Sequence, residues 1–599
     1  MWANKRTREQ RTRNRGGIWL LANFVLAASA LWSPAQAQIL PQERRITWAP
    51  GLPGGLPSRS QACPASAPSV RDFGAVGDGS TDDSAAFQAA IDAANQGDAI
   101  RVPQGDYFLG TGLKIDKGIV LCGEGPDRSR LLFDCQQTAI DIVTYHRGTF
   151  VDVLDGATKD STRLTLSDAS SFSTGDFAEL QQDNDWDVMD PDDHWRNQSQ
   201  VGWVPDHAVG QMFEIQAVEG NDLIVSPAVH FDYNPAMHPQ IRRMGLVTGA
   251  GIQGLYMVRN GTGDHATISL KNAAYCWIRD CESDNTWRAH VSAESAFRCE
   301  IRHNFFHHAH DYGGGGHGYG VTLGLHVTDF LVEDNIFLHL RHAMMVHIGA
   351  NGNVFGYNFS IERESDGNWT PCDISLHGHY AHMNLFEGNT VREVDVSDYW
   401  GATGPGNTFL RNRVLEEGIE VMDHSNGQNI VGNELGTDDN VISVKDNITD
   451  TLVHGNYENG SIAWDPDISD HVIPVSYYYN ERPNFFGCTP WPASGADLVP
   501  NDTMIPAEQR YRGTPIDCDG GPDSGLDGSV GDGSGPGPDG SASGDGGPNT
   551  NDAGAGSHTS NSGCSCRAAG QDARGHGLPI FLVLMAVGLT LVRTRKTPR

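Results

Sequence analysis

Asparagine returns at a nearly constant interval through the middle of the chain, and this repeat limits the possible folds more than any other feature. Each copy is a short apolar or extended stretch, a polar residue and then Asn, as in LVEDN ending at Asn335 and LFEGN ending at Asn389. From Leu255 onward the equivalent positions are 26, 23, 31, 23, 31, 23, 21 and 23 residues apart. These positions are Leu255, Cys281, Asn304, Asn335, Asn358, Asn389, Asn412, Asn433 and Asn456.

A β-rich repeat of this length is typical of a parallel β-helix, in which each turn supplies short strands and successive turns stack about 4.8 Å apart. Asn suits the stack because it tolerates a left-handed bend, and its amide can donate to one neighbouring turn and accept from the other. A leucine-rich repeat is the competing fold, but its leucine pattern is absent. Cys276 and Cys299 are also 23 residues apart. We expect them on adjacent turns as stacked buried thiols, with a disulfide as the alternative.

The sequence before the repeat predicts a short helix that covers one end of the solenoid. In DGSTDDSAAFQAAIDAANQG, from Asp78 to Gly97, the apolar residues follow a helical period. An amphipathic helix here can shield the strand edges of the first turn. Its apolar face is Phe87, Ala90, Ile91 and Ala94, with Ser80, Thr81 or Asp82 as the N-cap and Gly97 as the stop signal.

The longer stretch VRDFGAVGDGSTDDSAAFQAAIDAANQGDAIRVPQGDYFLG, which begins at Val70, resembles the N-terminal signature of the pectate lyase-like superfamily. The resemblance is to the rhamnogalacturonase/epimerase type and spans about residues 68–125. It implies an all-β fold, a right-handed parallel β-helix with a short N-terminal capping helix. The superfamily includes polygalacturonase-type hydrolases, epimerases, lyases and phage tailspikes. The resemblance therefore does not define the reaction.

Between about residues 148 and 246 the repeat is lost, and STRLTLSDASSF and NDLIVSPAVHF indicate a β-rich insertion. The insertion contains the acidic stretch DNDWDVMDPDDHW, in which Asp183, Asp185 and Asp187 are candidate Ca²⁺ ligands. Val188 and His194 stand where an EF-hand loop needs Gly and Glu, so a solvated acidic loop is the alternative. We expect Ca²⁺ to assist substrate binding, and we expect no organic cofactor.

The two ends of the chain predict an exported protein that is tethered to the cell surface. A basic segment, the apolar run IWLLANFVLAASALW and the small-residue end PAQAQ predict a signal peptide over residues 1–37. Residues 517–563 contain no aromatic residue, which predicts a disordered Gly/Asp/Ser/Pro linker. Between these segments we expect an N-terminal extension at 38–67, the β-helix at 68–490 and a C-terminal extension at 491–516.

Residues 564–599 place a Cys motif before an apolar span at 577–592 and a basic tail. This order is similar to the C-terminal sorting tails of myxobacterial-type surface proteins, which implies that Cys564 or Cys566 is the processing or anchoring position. A plain single-span anchor is the alternative. The formal net charge of the chain is -33, and a surface this acidic disfavours nucleic acid as a partner.

Half of the 24 histidines lie between His303 and His382, where the two 31-residue steps predict loops beside a cleft. The first loop contains HHAHDYGGGGHG, and the second lies within ERESDGNWTPCDISLHGHYAH. A phosphate-binding loop is excluded because a strand, not a helix, follows the glycines. A plain glycine turn and a transition-metal site remain alternatives to a catalytic cleft rim, which we favour because polar, aromatic and titratable groups converge. The metal candidates are His307, His308, His310, Asp311 and His317, which match no recognised ligand spacing.

β-Elimination in a uronate polymer needs a base for the proton beside the carboxylate and a cation for the carboxylate itself. A histidine with its ordinary pKa of about 6.5 can be the base, and Arg341 can be the cation. Counted from the Asn column, His347 and His377 occupy similar places on adjacent turns. The predicted catalytic group is His310, Asp311, His317, Arg341, His347 and His377. The predicted substrate-binding group is Tyr312, His342, Asp373, His379, Asp398, Tyr399 and Trp400, the last two as a stacking platform.

The sequence therefore predicts an exported, surface-tethered enzyme that acts on polysaccharide, as a pectate lyase-like lyase on an acidic glycan. A polygalacturonase-like hydrolase is one alternative. Its GHG motif is present at 316–318, but its Asn-Thr-Asp, Asp-Asp and Arg-x-Lys motifs are missing at the expected turns. A non-catalytic glycan-binding adhesin is the other alternative. A hydrolase would draw its carboxylates from Asp311, Asp373, Asp398 and Asp423.

Overall fold

The computed structural model describes residues 39–192, 205–367, 371–396, 401–436 and 441–514. Within these residues the chain forms a parallel β-solenoid, which confirms the fold predicted from the Asn repeat. A typical turn contributes one strand to an eleven-stranded sheet and two strands to a 21-stranded sheet. We call the outer surface of the eleven-stranded sheet face 1. In the other sheet, the earlier strand of each turn forms face 2 and the later strand forms face 3.

The strands of each sheet pair in parallel from one turn to the next, except that Ser461–Ala463 pairs antiparallel with Asn456–Glu458. The eleven-stranded sheet contains Ala99–Val102, Val120–Gly123, Gly251–Gln253, Trp277–Arg279, Glu300–Arg302, Leu331–Glu333, Val354–Gly356, Leu385–Glu387, Thr408–Leu410, Asn429–Val431 and Leu452–His454. The 21-stranded sheet contains Asp78–Asp82, Gly105–Leu109, Leu113–Ile115, Ser129–Phe133, Ile140–Val143, Tyr256–Arg259, Ile268–Lys271, Glu282–Thr286, Ala289–Glu294, Phe305–Ala309, Tyr319–Leu323, Ile336–Leu338, His342–Val346, Phe359–Ile361, Cys372–Leu376, Thr390–Val396, Arg413–Val421, Glu434–Leu435, Val441–Val444, Asn456–Glu458 and Ser461–Ala463. Val247–Thr248 and Ala273–Ala274 form a separate short parallel pair.

The predicted Asn column is a continuous hydrogen-bonded ladder. The Asn389 side-chain amide donates to Asn412 Oδ1 over 2.9 Å, and its oxygen accepts from the Asn358 side chain over 3.0 Å. The left-handed bend falls on the residue before each ladder position, such as Asp334 with φ 55°, so the expectation that Asn itself makes the bend is wrong. A second ladder, which sequence analysis missed, runs through Asn353, Asn384 and Asn407.

The interior of the solenoid is filled by one apolar side chain from each strand of the eleven-stranded sheet and by its partners on the other sheet. Phe386 stacks between Phe355 and Phe409, with ring centroids 5.0 and 5.1 Å away. Cys276 and Cys299 are buried free thiols on adjacent turns, which confirms the thiol stack and rules out the disulfide between them. Identical side chains therefore stack on successive turns in the core as they do in the Asn ladder.

Four α-helices occur in the described residues: Arg59–Ala62, Ser84–Ala93, Trp186–Met189 and Pro506–Arg512. The helix Ser84–Ala93 buries Phe87, Ala90 and Ile91 against the first turns, as the sequence predicts. Its N-cap is Asp83, one residue beyond the predicted range, and Asp83 makes no capping hydrogen bond. The Asp83 carboxylate instead accepts from the backbone N–H groups of residues 76 and 77, while Asp82 accepts from the Ser84 N–H.

The β-rich insertion folds as a closed antiparallel barrel beside the solenoid. Its strands are Val151–Asp155, Arg163–Leu166, Phe177–Gln181, Gly210–Glu219, Asp222–Ser226 and Gln240–Met244. The barrel has its own core and contacts the solenoid through buried hydrogen bonds. The Asn351 amide donates to Gly210 O over 2.8 Å, and His326 Nδ1 lies 2.9 Å from Glu179 Oε1.

Segments from both ends of the described chain lie over face 1. Near the N-terminus, Trp48 donates from its indole N–H to Met383 O, and a disulfide joins Cys63 to Cys122. Near the C-terminus, the hydroxyls of Tyr478 and Tyr479 both donate to one oxygen of Glu333. These segments cover face 1, and the C-terminal helix also packs on face 2, where Tyr511 contacts Phe359. Face 3 and the rest of face 2 are therefore the surfaces to search for a site.

The predicted signal peptide, the linker at 517–563 and the tail at 564–599 lie outside the described residues. Across the part of the chain that is described, no helix combines the length and the apolar character that crossing a membrane requires.

Candidate functional site

Two loops stand together where face 2 meets face 3. The first, residues 310–318, connects Phe305–Ala309 to Tyr319–Leu323, and we call it the glycine loop. The second follows Phe359–Ile361 and precedes Cys372–Leu376 two turns away. Tyr312 N donates to the Asp366 carboxylate over 3.1 Å, so the loops meet across the intervening turn. The two 31-residue steps thus build one wall.

Face 3 lies between this wall and the barrel. We call this region the trough and the outer surface of face 3 its floor. The barrel docks where the face 3 strands end, because Met212 N donates to Thr328 Oγ1 over 3.0 Å and Phe231 packs on Tyr380 with ring centroids 5.6 Å apart. The glycine loop lies at the opposite end of the same strands. A groove bounded in this way can hold an extended polymer along the solenoid axis.

The strand register places a row of polar side chains along the floor. Lys271 pairs with Glu294, and the following positions in register are Gly324, His347 and His377. Lys271 and Glu294 form an ion pair over 2.5 Å. His347 and His377 therefore lie on adjacent turns at the same level, which agrees with the spacing counted in the sequence. Neither Lys271 nor Glu294 was singled out from the sequence, although counting from the Asn column reaches both.

Three other histidines lie close to His377, and we call the four together the imidazole cluster: His342, His347, His377 and His379. Burial lowers the pKa of His347 to about 4, although the Glu294 carboxylate opposes the shift, and burial lowers the pKa of His379 to about 3. Burial and the neighbouring histidines lower the pKa of His377 well below its usual value. The expectation of an ordinary pKa near 6.5 is therefore wrong for these side chains. All four are neutral near pH 7 and can accept a proton.

Access separates the members of this cluster. His342 is 4% exposed and His379 is 8% exposed, whereas His347 and His377 are half-buried. His342 lies between Tyr319 and His377, with ring centroids 4.8 and 5.9 Å away. His347 and His377 are thus the two more exposed members of the cluster.

The predicted catalytic residues of the glycine loop form a separate group. Both nitrogens of His317 face carboxylates, Asp311 over 2.9 Å and Asp264 over 2.9 Å. His310 stacks on Trp287 with ring centroids 4.8 Å apart, and its Nε2 lies 2.7 Å from a backbone oxygen. Because the His310 ring is exposed, this pair offers a flat aromatic surface at the rim. Trp287 and Asp264 were missed because they precede the long steps.

Several predicted residues make contacts within the protein. Arg341 is 2% exposed and its guanidinium donates to Gly313 O, so it supports the glycine loop from below. The Tyr312 hydroxyl accepts from Ala309 N over 2.9 Å. Asp373 is buried, accepts from Ser360 Oγ over 2.6 Å, and has a pKa raised by burial. Asp398, Tyr399 and Trp400 lie outside the described residues.

Arg288 is an exposed cation beside the imidazole cluster that the sequence analysis did not select. Its positive charge contributes to the low pKa of His347, and its guanidinium lies 3.4 Å from Asp264. Its position directly before the strand Ala289–Glu294 places it at the rim of the trough. An anionic ligand on the floor would therefore meet Arg288 before the buried Arg341.

The candidate calcium ligands lie in the insertion, away from face 3. Asp183 is 2.8 Å from His238 and 3.3 Å from His207, and Asp185 is the N-cap of Trp186–Met189. Asp187 lies within that helix. Among the described residues, these three carboxylates do not form a group with all ligand atoms within 4.8 Å. Calcium assistance remains a prediction.

The architecture defines a parallel β-helix protein with one face covered and a histidine-lined trough on another. Residues 67–149 match the family model described as rhamnogalacturonase A/epimerase, pectate lyase-like. The start of the solenoid is therefore similar to this pectate lyase-like family, in agreement with the resemblance seen in the sequence. The matched range includes the capping helix Ser84–Ala93 and excludes the trough.

Two curated relatives match over short stretches of this chain. A mannuronan C5-epimerase from Azotobacter vinelandii is 43% identical over 65 residues, which are 9% of this chain and 4% of the relative. Alginate lyase 7 from Azotobacter vinelandii is 46% identical over 54 residues, 9% of this chain and 6% of the relative. This chain thus spans a small fraction of either relative's length. Among solved structures, the tailspike protein gp49 of Pseudomonas phage LKA1 has a TM-score of 0.49 at 16% identity, covering 61% of this chain and 64% of that one.

Proposed function

We propose that this protein is a polysaccharide lyase that cleaves an acidic, uronate-containing glycan by β-elimination in the face 3 trough. The observation that carries the proposal is the pair of neutral, half-buried imidazoles of His347 and His377 at the same level on adjacent turns. A neutral imidazole that a ligand can reach is a competent general base.

The reaction requires a proton to leave C5 of the uronate and a bond to break at C4. In the proposed step, His347 or His377 takes the C5 proton, and the C–H electron pair forms a C4–C5 double bond. The C4–O4 bond breaks at the same time, and the departing oxygen takes a proton from water. Arg288 is the proposed partner of the uronate carboxylate, because removing charge from that group makes the C5 proton more acidic.

The rim can orient the polymer. The exposed His310–Trp287 stack offers a sugar ring a flat apolar surface at one end of the trough. The carboxylate-bracketed His317 and the buried Arg341 hold the glycine loop that carries this stack. We assign positioning roles to these groups and the proton transfer to the cluster.

The names of the two curated relatives specify mannuronan and alginate, and both are polymers of uronic acids. Because the matches cover only 9% of this chain, these names supply the first substrates to test and not the assignment. The net charge of -33 opposes binding of an anionic polymer, so we propose that Arg288 and bound Ca²⁺ offset the repulsion.

We also propose that the protein acts outside the cell, held to the envelope by its C-terminal tail. Deleting residues 564–599 should release folded protein into the medium, because the described solenoid core is built from residues between Val70 and Ile430. Retention of the truncated protein with the membrane fraction would show that another segment anchors it.

The test of function is a panel of acidic and neutral polysaccharides read by ultraviolet absorbance and by reducing ends together. A lyase produces both signals in step, because each cleavage creates one double bond and one reducing end. Reducing ends without new absorbance would instead indicate a hydrolase that uses carboxylates such as Asp264 and Asp311. Binding without either signal would indicate the adhesin.

A further inference from the structure

Face 2 carries a compact group of metal-ligating side chains outside the trough. Asp284 and His307 are paired positions on adjacent strands, and His308 follows His307. Consecutive residues of a strand normally point to opposite sides. His308 has φ 57° and belongs to a column of left-handed corners with Asn285 and His339, and this bend brings its ring back toward His307.

The three ligand atoms form a triangle of suitable size. His307 Nδ1 lies 3.2 Å from Asp284 Oδ1 and 2.9 Å from His308 Nδ1, and the third side, from His308 Nδ1 to Asp284 Oδ1, is 4.0 Å. A point equidistant from the corners of this triangle is about 2.0 Å from each atom. That distance matches the bonds of about 2.0–2.2 Å that Zn²⁺ makes to imidazole nitrogen and carboxylate oxygen.

The surroundings orient these atoms as metal sites require. The second nitrogen of His307, Nε2, lies 3.1 Å from Glu282 Oε1, which fixes Nε2 as the donor and leaves Nδ1 facing the triangle. The Tyr256 hydroxyl donates to the other oxygen of Asp284 over 3.0 Å. Carboxylates that hold the far nitrogen of a metal-binding histidine are a regular feature of such sites.

We propose that Asp284, His307 and His308 bind a divalent transition-metal ion, with Zn²⁺ as the ion that two imidazoles and one carboxylate suit best. The His308 side chain is 46% exposed, so the fourth position of a tetrahedral ion faces solvent. An ion here joins two successive turns of the solenoid. It also lies on a different face from the imidazole cluster, so it does not depend on the proposed lyase activity.

This site differs from the metal set that the sequence suggested. His307 and His308 belong to both sets, but His310 stacks on Trp287, and Asp311 and His317 pair with each other. The third ligand comes from the preceding turn. Asp284 was not found because its distance from His307 in the chain matches no familiar motif, whereas the strand pairing brings the two side chains together.

The test is titration of the full chain, freed of metal by a chelator, with Co²⁺ and then with Zn²⁺ in competition. The parent should bind one Co²⁺ with the intense visible absorption of a four-coordinate site, Zn²⁺ should displace it, and Zn²⁺ should raise the Tm because it binds only the folded chain. His308→Ala and Asp284→Asn should each lose this signal. Glu282→Gln should keep the spectrum but weaken Zn²⁺ affinity by about 10–100-fold, as expected for a positioning residue.

His303→Ala is the matched control. His303 lies on the same turn as His307 and its side chain is 43% exposed. Like His307, it has a carboxylate partner, since it lies 2.9 Å from Asp280. This variant should bind Co²⁺ as the parent does. The proposal is overturned if the parent and His308→Ala give the same absorption, the same stoichiometry and the same Tm response. Because residue 308 is exposed, that comparison decides the question even if Asp284→Asn does not fold.

Discussion

The imidazole of His347 lies directly over Gly324 on the neighbouring turn. A Cβ at position 324 would be 2.4 Å from His347 Nε2, closer than any two such atoms can approach. Glycine at this point of the row lets the ring lean across the floor of the trough toward Glu294. The position of the proposed base is thus fixed by the absence of one side chain.

Gly324→Ala should therefore lower lyase activity by about 10–100-fold, because the added methyl group displaces the His347 ring from its reacting position. The measurement is initial rate on the best substrate of the panel, with Tm as the check on folding. Ser292→Ala, on an adjacent strand of the same face, should leave the rate unchanged. Equal rates for the parent and Gly324→Ala would remove His347 from the mechanism.

Replacement of the base should cost more than displacement. His347→Ala or His377→Ala, whichever removes the true base, should reduce kcat by about 10²–10⁴-fold with the fold intact. His471→Ala removes a histidine that stacks on Trp464 far along the chain and serves as the control. If both variants in the trough keep the parental rate, the carboxylates of the glycine loop become the candidates.

The acidic limb of the kcat/KM profile should report the low pKa of the base. Burial lowers the pKa of His347 to about 4, so the neutral, active form persists down to about that pH. Arg288→Gln should move the limb to higher pH, because the arginine charge is one cause of the low pKa. A limb near pH 6.5 in the parent, unmoved by Arg288→Gln, would contradict this assignment.

Interruption of the Asn ladder should destabilise the solenoid. Asn389→Ala removes the acceptor of the Asn358 backbone N–H and side-chain amide and the side-chain donor to the residue 355 oxygen, at a cost of about 1–3 kcal/mol. Denaturant unfolding measures the change, and Ser170→Ala at an exposed position is the control. An unchanged midpoint for Asn389→Ala would show that the ladder contributes little.

Stability should also depend on pH through Glu387, which the C-terminal segment covers. Burial raises the pKa of Glu387 from 4.5 to about 7, although hydrogen bonds from residues 476, 477 and 357 oppose the shift. The folded state therefore holds this proton more tightly, and the resulting stabilisation is complete below pH 4.5 and lost as the pH rises through 7. Glu387→Gln should remove up to about 3 kcal/mol of this decline, measured as the free energy of unfolding at pH 4.5 and 7.5. Parallel pH profiles for the two proteins would contradict the assignment.

The repeat was predictable because the ladder couples sequence spacing directly to stacking. Asn335, Asn358 and Asn389 are bonded to one another in the order in which they were counted, and the capping helix follows from the pattern around Phe87. The barrel could be expected only as β-rich sequence. Its antiparallel pairing has no fixed interval, so no spacing in the chain encodes which strands are neighbours.

The sequence predicted which site residues lie at the same level of the solenoid, but it did not predict the role of each residue. The alignment of His347 with His377 follows from the repeat, and the contact of the two loops follows from their position on alternate turns. The burial of Arg341 beneath the glycine loop and the low pKa of His347 could not be foreseen, because both depend on packing between turns. Asp284 was missed for the same reason.

The ladder bonds each turn from Asn304 to Asn456 to the next in the same way, so the floor of the trough repeats at a constant spacing along these turns. Each level of the floor stands about 4.8 Å from the one before it. A polymer bound along face 3 would therefore contact successive turns of the solenoid at this constant interval. Duplication or loss of one complete turn would lengthen or shorten the trough by one level, while the hydrogen bonds of the ladder would keep their geometry. The reach of such a protein along its glycan can therefore change by whole steps while the chemistry at a single level stays fixed.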